Sequence, residues 1–372
     1  MKTAYLIIDA KGPEIRHRCG LTAPDSFIYL APDNEQPTVY FDAREYDIQK
    51  QKLVALRNNV RIERLEPYTK KAKKDMESPL LASLSVILKK RGIGTVRVSP
   101  SMSYATVLAL QQVGINIAVY SYEEERERKN EVEIEWMIDA QRSTEAAFQL
   151  ARKILTASTI KRNKIIYKKE VLTSEYVKAR LQSFLFEKGY NCPEGMIVAS
   201  GEQTSRPHDD GEGPLLPNQC LIIDIFPQSI KTGVFADMTR TFVKGKASKD
   251  IKGLFRDVMS VQQQVLESIA VGQRCADVHK KTVKAFKQLG HPTSAKKGFM
   301  HGTGHAVGLS VHEGPSLNAY SKRKIEPGMA LTVEPGLYYP GIGGVRFEDV
   351  VIFHPDGSKQ NITQFNEPYF IP

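Results

Sequence analysis

Residues 221–242, LIIDIFPQSIKTGVFADMTRTF, decide how the second half of this chain folds. They begin with an apolar run, Leu221–Ile223, that has the length and branching of a buried strand. Asp224 then stands where the core should continue. After a turn marked by a proline and a glycine, the chain returns through a second apolar run to another acid, Asp237. The pattern predicts a buried β-hairpin with a carboxylate on each strand.

The two acids of this hairpin need a cationic partner. If the strands pair antiparallel about a midpoint near Ile230 and Lys231, Asp224 and Asp237 lie roughly opposite each other. Buried carboxylates that face each other disfavour ionisation, because each loses water and meets a like charge. A salt bridge to Arg240, a shared proton or bound metal ions would each relieve this repulsion, and the hairpin alone leaves all three open.

Length and composition are those of a two-domain globular protein. The chain has 372 residues, 41% of them apolar and 25% charged, which allows a large core and suggests two domains of ~150 residues each. No apolar run is long enough for a signal-peptide core or a membrane span. The four cysteines form no CxxC pair; they are Cys19, Cys192, Cys220 and Cys275. We therefore expect a cytoplasmic protein without a disulfide framework or a zinc knuckle.

The positive charge of the chain is spread out. The formal net charge is +10, and residues 1–130 and the remainder each carry an excess of five basic residues. The densest basic cluster has no interleaved aromatic residues and is followed by acids; it comprises Lys70, Lys71, Lys73 and Lys74. We interpret it as a solvated face and not as a nucleic-acid patch. The sequence predicts neither a nucleic-acid partner nor a membrane partner.

The first third of the chain alternates short β-rich runs with helical ones. Strands are predicted at Tyr5–Ile8, Phe27–Leu30, Thr38–Phe41, Val96–Val98 and Ile115–Tyr120. Helices are predicted at Ala43–Asn58, Leu80–Arg91 and Tyr104–Val113. This alternation is typical of a small α/β domain. It contains no GxGxxG or GxxxxGK[ST] motif that would hold a phosphate.

A charged run, Glu123–Asn130, marks the predicted boundary between an α/β domain of residues 1–125 and a second domain of residues 126–372. The alternative is that this run is the solvated first turn of a long helix predicted at Glu133–Thr156. Further helices are predicted at Ser174–Lys188, Lys249–Ala270 and Ala276–Leu289. A strand predicted at Met196–Ala199 leads into a polar, Gly-rich loop that holds His208.

Three of the eight histidines lie within twelve residues, at His301, His305 and His312. The glycines between them let the backbone pass close to whatever the imidazoles face. His301 and His305 are four residues apart and can face the same way, whereas His312 lies at the opposite parity. We therefore expect the chain to bend or bulge between them.

Two further acids interrupt apolar strand-like runs near the end of the chain. Glu334 ends one run, and Glu348 shares a face with Arg346 in the next. With Asp224 and Asp237 this makes four carboxylates beside a histidine cluster, a set that suits hard divalent ions such as Mn²⁺ better than a single zinc. Two ions ~3.5 to 4 Å apart would neutralise four acids and activate a water molecule near neutral pH, which is hydrolase chemistry.

The order of these residues resembles a known family. In the settings IIDIFP, FADMTRTF, HGTGHAVGLSVHE, VEPGLY and GGVRFEDVV, the chain is similar to the pita-bread metallopeptidases, which include aminopeptidase P, prolidase, methionine aminopeptidase and the creatinase group. The similarity covers roughly residues 200–353. The stretches EIRHRCGL, FIYLAPD and YFDAREYD resemble more loosely the creatinase-like N-terminal domain. The resemblance implies an α/β N-terminal domain joined to an α+β pita-bread catalytic domain.

The resemblance also implies the site. Asp224 would bind one ion, Asp237 and Glu348 would bridge both, and His305 with Glu334 would complete the other. The catalytic and substrate-side groups would be His208, His301, His312, Arg346 and, as the proton shuttle, Glu334. The cofactors would be two divalent ions, Mn²⁺ first, with Co²⁺ or Zn²⁺ as alternatives.

The implied reaction is hydrolysis of the peptide bond before proline, with a peptide whose second residue is proline as the partner. Aminopeptidase P (longer peptides) and prolidase (dipeptides) are not separated by this sequence, and we expect a homodimer in either case. The alternatives are methionine aminopeptidase, a creatinase-like amidinohydrolase or a non-enzymatic scaffold. One departure from the family pattern, Asp-x-Gly, is that Asp224 is followed by Ile225, Phe226 and Pro227, which alters the substrate-facing wall.

Overall fold

A computed structural model of the chain describes residues 2–56, 59–72, 78–365 and 367–372. The chain divides into two compact units, Met1–Glu124 and Glu125–Pro372. Two sequence predictions fall partly outside the described residues. These are the basic cluster, which includes Lys73 and Lys74, and the end of the helix predicted to reach Asn58.

The described part of the first unit is a six-stranded mixed sheet flanked by helices. Its strands are β1 Lys2–Asp9, β2 Phe27–Pro32, β3 Thr38–Phe41, β4 Arg61–Arg64, β5 Ile93–Val98 and β6 Asn116–Val119, in the order β4-β3-β2-β1-β5-β6. Its helices are α1 Pro13–Cys19, α2 Tyr46–Leu56, α3 Glu66–Thr69, α4 Pro79–Arg91 and α5 Tyr104–Gln112.

Apolar side chains cover both faces of this sheet. Leu84 and Leu88 of α4 belong to the core on one face, and Ile15 of α1 belongs to the core on the other. Helix α1 was not predicted, although its ends follow known rules. Pro13 sits in the first turn, where a missing N–H costs nothing, and Gly20 ends the helix in the left-handed conformation at φ 67°.

The second unit combines long helices with two main sheets. Its helices are α6 Glu123–Arg126, which begins in the first unit, α7 Glu131–Ala157, α8 Ser174–Glu187, α9 Lys249–Ser268 and α10 Cys275–Gln288, with a 3-10 helix at Gly201–Ser205. The sheet β11-β12-β14-β22 is formed by Met196–Ser200, Cys220–Ile225, Met238–Lys244 and Phe370–Ile371. The sheet β16-β15-β17-β20-β21 is formed by Glu313–Leu317, Gly304–Ala306, Ala330–Val333, Asp349–Phe353 and Lys359–Asn361.

Smaller pairings complete the second unit. They are the hairpin of β18 Gly336–Tyr339 with β19 Gly343–Arg346, the pair of β10 Tyr190–Asn191 with β13 Gln228–Ser229, and the meander β7 Thr159–Lys161, β8 Lys164–Tyr167 and β9 Glu170–Val171. The meander was not predicted from the sequence, because its strands are at most four residues long and carry little periodic signal.

The predicted hairpin forms, but with a different register. Strands β12 and β14 pair antiparallel so that Asp224 lies opposite Thr239, and not opposite Asp237. The predicted midpoint near Ile230 and Lys231 was therefore wrong by one residue. Moving the midpoint by one residue shifts the partner of each residue by two positions. Because side chains on a strand alternate between the two faces, a shift of two leaves Asp237 on the same face of the sheet as Asp224.

The strand predicted to carry both Arg346 and Glu348 is broken in two. Strand β19 ends at Arg346 and pairs with β18, whereas β20 begins after Glu348 and pairs with β17. Strand β14 holds the chain at the break. The backbone N–H of Arg346 donates to Thr241 Oγ1 at 3.0 Å, and that of Glu348 donates to the carbonyl of Thr239 at 3.1 Å.

The charged run lies before α7 and does not form its first turn. Arg126, Glu127 and Lys129 are buried. Helix α7 begins after this run, where Asn130 and Glu133 form a reciprocal capping box. The run is therefore not the first turn of α7, as the alternative interpretation proposed, and three of its charges are enclosed by protein.

No helix in the described part of the second or the first unit is long and apolar enough to cross a membrane. All four cysteines are free thiols.

Candidate functional site

A cleft of about 440 Å³ in the second unit is lined by all nine predicted site residues. In chain order they are His208, Asp224, Asp237, His301, His305, His312, Glu334, Arg346 and Glu348. We call Asp224, Asp237, Glu334 and Glu348 the inner acids. They come from the two sheets, at or next to the ends of β12, β14, β17 and β20.

The local structure holds each inner acid in place. Asp237 is fixed through its backbone by Gln141 of α7, whose amide donates to the Asp237 carbonyl at 3.1 Å. Glu348 accepts a hydrogen bond from Thr239 Oγ1 at 2.8 Å. Neither partner was predicted. Gln141 lies 96 residues from Asp237, and a polar residue within a helix gives no signal of so distant a contact.

His305 points an unprotonated nitrogen at two acids. Its Nδ1–H donates to the carbonyl of Ala306 at 3.1 Å, so Nε2 carries the lone pair in the neutral ring. Burial lowers the pKa of His305 and favours that neutral form. Nε2 lies 3.7 Å from Asp237 Oδ2 and 3.4 Å from Glu334 Oε1. A lone pair facing two carboxylates is stable when a cation sits between them.

The inner acids are crowded enough to resist ionisation. Burial and then the charge of Glu348 raise the pKa of Asp237 well above its ordinary value. Burial and the charge of Glu334 do the same for Glu348. Burial raises the pKa of Glu334 to about 7. The chain therefore supplies more negative charge here than it balances.

Asp224 has one satisfied and one unsatisfied oxygen. Arg346 Nη2 donates to Asp224 Oδ2 at 2.6 Å, whereas Oδ1 is buried with no hydrogen-bond partner among the described residues. Arg240, the cation considered from the sequence, pairs instead with Asp349 at 2.7 Å. A buried carboxylate oxygen without a donor is open to a metal ion.

These residues fit a divalent metal ion. One ligand atom each of Asp237, His305 and Glu348 lie within 4.8 Å of one another. Carboxylate oxygens with one imidazole form the donor set of hard to borderline divalent ions. Together with the free oxygen of Asp224 and the lone pair of His305, this makes a candidate metal site.

Tyr338 links two predicted residues and was itself missed. Arg346 Nη1 donates to Tyr338 Oη at 2.8 Å, and Tyr338 O–H in turn donates to His301 Nε2 at 2.9 Å. His301 Nδ1–H donates to the carbonyl of Gly302 at 2.8 Å, so protein groups occupy both ring nitrogens. Burial lowers the pKa of His301 to about 3. The sequence did contain a signal for Tyr338. It is four residues after Glu334 in an apolar run, and a buried tyrosine hydroxyl needs a polar partner.

His312 and His208 lie at the open side of the cleft, and both are exposed. The chain turns back between β15 and β16, with a register shift next to His305. This confirms the predicted bend and brings the ring centroids of His305 and His312 to 4.2 Å. Partial burial and the neighbouring His305 lower the pKa of His312.

A second buried charge cluster lies next to His312. Glu313 accepts from Arg126 Nη1 at 3.0 Å and from Lys129 Nζ at 2.9 Å. All three side chains are at most 6% exposed. A Cβ at Gly308 would lie 2.6 Å from Glu313 Oε2, which explains one glycine of the histidine segment. We call Glu313, Arg126 and Lys129 the Glu313 cluster; it was not predicted.

The departure from the family's usual hairpin sequence reaches the cleft. Phe226, the second residue after Asp224, lines it together with Ile197 and Val311. Apolar side chains therefore form part of the cleft wall. Such a wall suits an apolar part of a ligand.

Comparison with known proteins places this site in a family. A family model described as metallopeptidase family M24 matches residues 135–355, more than half of the chain. The uncharacterized peptidase YqhT of Bacillus subtilis is 32% identical over 232 residues, 61% of this chain and 60% of that protein. The Xaa-Pro dipeptidase of Pyrococcus furiosus is 28% identical over 185 residues, 50% of this chain and 52% of that protein. The chain thus spans about half to three-fifths of the length of these curated relatives.

Solved structures match over nearly the whole chain. Prolidase from Pyrococcus furiosus matches with a TM-score of 0.78 at 20% identity, over 98% of this chain and 97% of that chain. X-Pro aminopeptidase from Thermotoga maritima matches with a TM-score of 0.81 at 20% identity, over 100% of this chain and 98% of that chain. This likeness confirms the predicted fold class, an α/β N-terminal part with an α+β pita-bread part.

Proposed function

The chain belongs to metallopeptidase family M24, and from this membership we propose that it is a metal-dependent Xaa-Pro peptidase. It would hydrolyse the bond before a proline in the second position of a peptide. The observation that carries the proposal is the close approach of Asp237, His305 and Glu348 in a cleft with a free imidazole, His312, beside them. Relatives that are 28% and 30% identical, both named Xaa-Pro dipeptidase, support the substrate class.

We assign the inner acids and His305 as the metal ligands. Two divalent ions would balance the charge of four carboxylates, and Mn²⁺ is the proposed native ion because oxygen donors dominate the set. When bound there, such ions would activate water and polarise the scissile carbonyl. Saturation with Mn²⁺ should therefore give about two ions per chain by elemental analysis, and a chain that stays metal-free would contradict the assignment.

We assign the proton transfer in this reaction to Glu334. Its carboxylate lies among the proposed ligands, 3.4 Å from His305 Nε2, and so beside the place where water would be activated. Glu334 would therefore receive the proton of the attacking water and pass it to the leaving prolyl nitrogen, which has no N–H in the substrate.

The histidines and Arg346 would hold the substrate and the ligands. His312 has an exposed ring beside His305 and would stabilise the oxyanion, while His208 would contact the substrate from the cleft opening. His301 has both nitrogens engaged, so we assign it to the wall of the cleft. Arg346 orients Asp224 and, through Tyr338, His301.

Other functions of the same fold account less well for these residues. Methionine aminopeptidase and a creatinase-like amidinohydrolase remain the alternative reactions. A non-enzymatic scaffold would not need five potential ligands to converge. We further propose a cytoplasmic location, which suits four free cysteines, and a homodimer.

The proposed reaction is tested with three peptides. The purified, Mn²⁺-loaded chain should hydrolyse Ala-Pro-Ala at least ~100-fold faster, as kcat/KM, than Ala-Ala-Ala or Met-Ala-Ala. A preference for Met-Ala-Ala would point to methionine aminopeptidase. No hydrolysis of any peptide by protein that contains its metals would contradict the proposal.

A further inference from the structure

The cleft is rich in acids and poor in cations. Its described lining contains six carboxylates, those of Glu194, Asp210 and the four inner acids. Against them stands one arginine, Arg346, and the described lining contains no lysine. This excess of carboxylates affects how the cleft receives the N-terminal ammonium group and the C-terminal carboxylate of a peptide substrate.

The single arginine of the lining already donates its hydrogen bonds to acceptors within the protein. Arg346 Nη2 donates to Asp224, and Nη1 donates to Tyr338 Oη at 2.8 Å and to the Pro207 carbonyl at 3.2 Å. Nε donates to Thr239 Oγ1 at 3.1 Å. The side chain is 5% exposed. Arg346 is therefore a poor partner for a substrate carboxylate.

The histidines do not replace the missing cation. Both ring nitrogens of His301 are bound to protein groups, and Nε2 of His305 faces the inner acids. The His312 ring lies 4.2 Å from the His305 ring, and His208 lies at the cleft opening. An imidazole, unlike a guanidinium or an ammonium group, is not permanently charged near neutral pH, so none of these four histidines is a fixed counter-ion for a carboxylate.

Two further acids, Glu194 and Asp210, line the cleft. Neither Glu194 nor Asp210 has a side-chain hydrogen bond or salt bridge within the described ranges, and both residues are exposed. Two divalent ions would offset the four inner acids, which leaves two carboxylates against one arginine in the described lining. A cleft of this kind attracts an ammonium group and repels a carboxylate.

We propose that the enzyme acts on peptides of three or more residues and discriminates against Xaa-Pro dipeptides. This rests on the proposed function. In a dipeptide the free carboxylate is attached to the proline beside the scissile bond, so it must enter the cleft. In a longer peptide that position is a neutral amide, and the terminal carboxylate lies ~3.5 Å or more further out. An ionised carboxylate that loses water without gaining a cation is strongly disfavoured.

Three substrates that differ at one group test this preference. The full, Mn²⁺-loaded chain is assayed on Ala-Pro, on Ala-Pro amide and on Ala-Pro-Ala. We expect kcat/KM for the amide and the tripeptide to exceed that for Ala-Pro by ~10-fold or more. Hydrolysis of Ala-Pro at the rate of its amide, or faster, would overturn the proposal. Hydrolysis of none of the three by metal-containing protein would defeat the proposed function itself, and the preference with it.

A charge-neutralising variant tests the cause. Glu194→Gln removes one repelling charge from the cleft, and Glu187→Gln removes an exposed acid of α8 that does not line it. The ratio of kcat/KM for Ala-Pro to that for Ala-Pro amide should rise ~3-fold in Glu194→Gln. It should keep its wild-type value in Glu187→Gln. Equal ratios in both variants would show that cleft charge does not set substrate length and would overturn the proposal.

Discussion

Two buried groups of charges in the second unit are balanced in opposite ways. In the Glu313 cluster, one carboxylate meets two cations and two backbone N–H groups, those of Leu309 and Ser310. Among the inner acids, four carboxylates share one guanidinium, and one carboxylate oxygen of Asp224 has no described partner. In the first cluster the carboxylate has its partners as soon as the chain folds. The second is complete only when cations from outside bind.

The difference separates a structural charge cluster from a functional one. A buried ion pair that the chain completes by itself is costly to break, because one charge is then left in a low-dielectric interior. Acids that the chain leaves unbalanced have raised pKa values, as Asp237, Glu334 and Glu348 do. A Glu→Gln change should therefore lower metal binding and activity among the inner acids, and lower the stability of the fold in the Glu313 cluster.

The largest expected effect is on the inner acids of the metal-loaded protein. Glu348→Gln removes a charge from the group formed by Asp237, His305 and Glu348. We expect kcat/KM to fall by ~10³-fold or more and the bound Mn²⁺ to fall from two ions toward one. Elemental analysis and steady-state rates on Ala-Pro-Ala measure both. Unchanged metal content and rate would mean that Glu348 is not a ligand.

The next effect is on stability and concerns the Glu313 cluster. Glu313→Gln leaves Arg126 and Lys129 buried without a counter-charge, so the free energy of unfolding should fall by ~3 to 5 kcal/mol. Glu326→Gln is the matched control, because Glu326 pairs with Arg128, whose side chain is 65% exposed. In the control, the free energy of unfolding should fall by less than ~1 kcal/mol. Urea unfolding of both variants measures these free energies. Equal losses in Glu313→Gln and Glu326→Gln would contradict the structural role of the Glu313 cluster.

A smaller effect separates the two neighbouring histidines. His312→Ala should lower kcat by ~10²-fold with metal content preserved, as expected for the loss of a transition-state contact. His305→Ala should lower metal content and activity together. If His312→Ala loses its metals or keeps full activity, the assignment of the two roles is wrong.

The smallest effect is a pH dependence of the metal-free protein. The folded state keeps a proton on Glu334 up to a pKa of about 7, whereas the unfolded chain releases it near 4.5. Stability from this group is therefore fully present below pH 4.5 and is lost as the pH rises through about 7. We expect a loss of ~2 kcal/mol between pH 5 and pH 8, smaller in Glu334→Gln. Thermal unfolding with chelator from pH 5 to pH 8 measures it, and identical slopes for both proteins would contradict this origin.

From the sequence, the residues that line the cleft were easier to predict than the geometry around them. An acid that interrupts an apolar run stands out in any strand-like segment, so Asp224 and Glu334 could be found one at a time. The family model and the fold comparison confirm the family that these residues suggested. By contrast, the cations of the Glu313 cluster lie 187 and 184 residues from Glu313. No local pattern reports a partner at that distance.

By itself, the sequence determined that Asp224 and Asp237 would be buried in strand-like runs, because burial and strand parity follow from the local alternation of apolar and polar residues. The fold class and the remaining residues of the cleft followed from the resemblance of the sequence motifs to the pita-bread metallopeptidases. Only the tertiary structure decided the register of the hairpin, the break between Arg346 and Glu348, and which charges are balanced. Those depend on packing between segments that are far apart in the chain, and on whether a distant cation such as Arg126 reaches a given carboxylate.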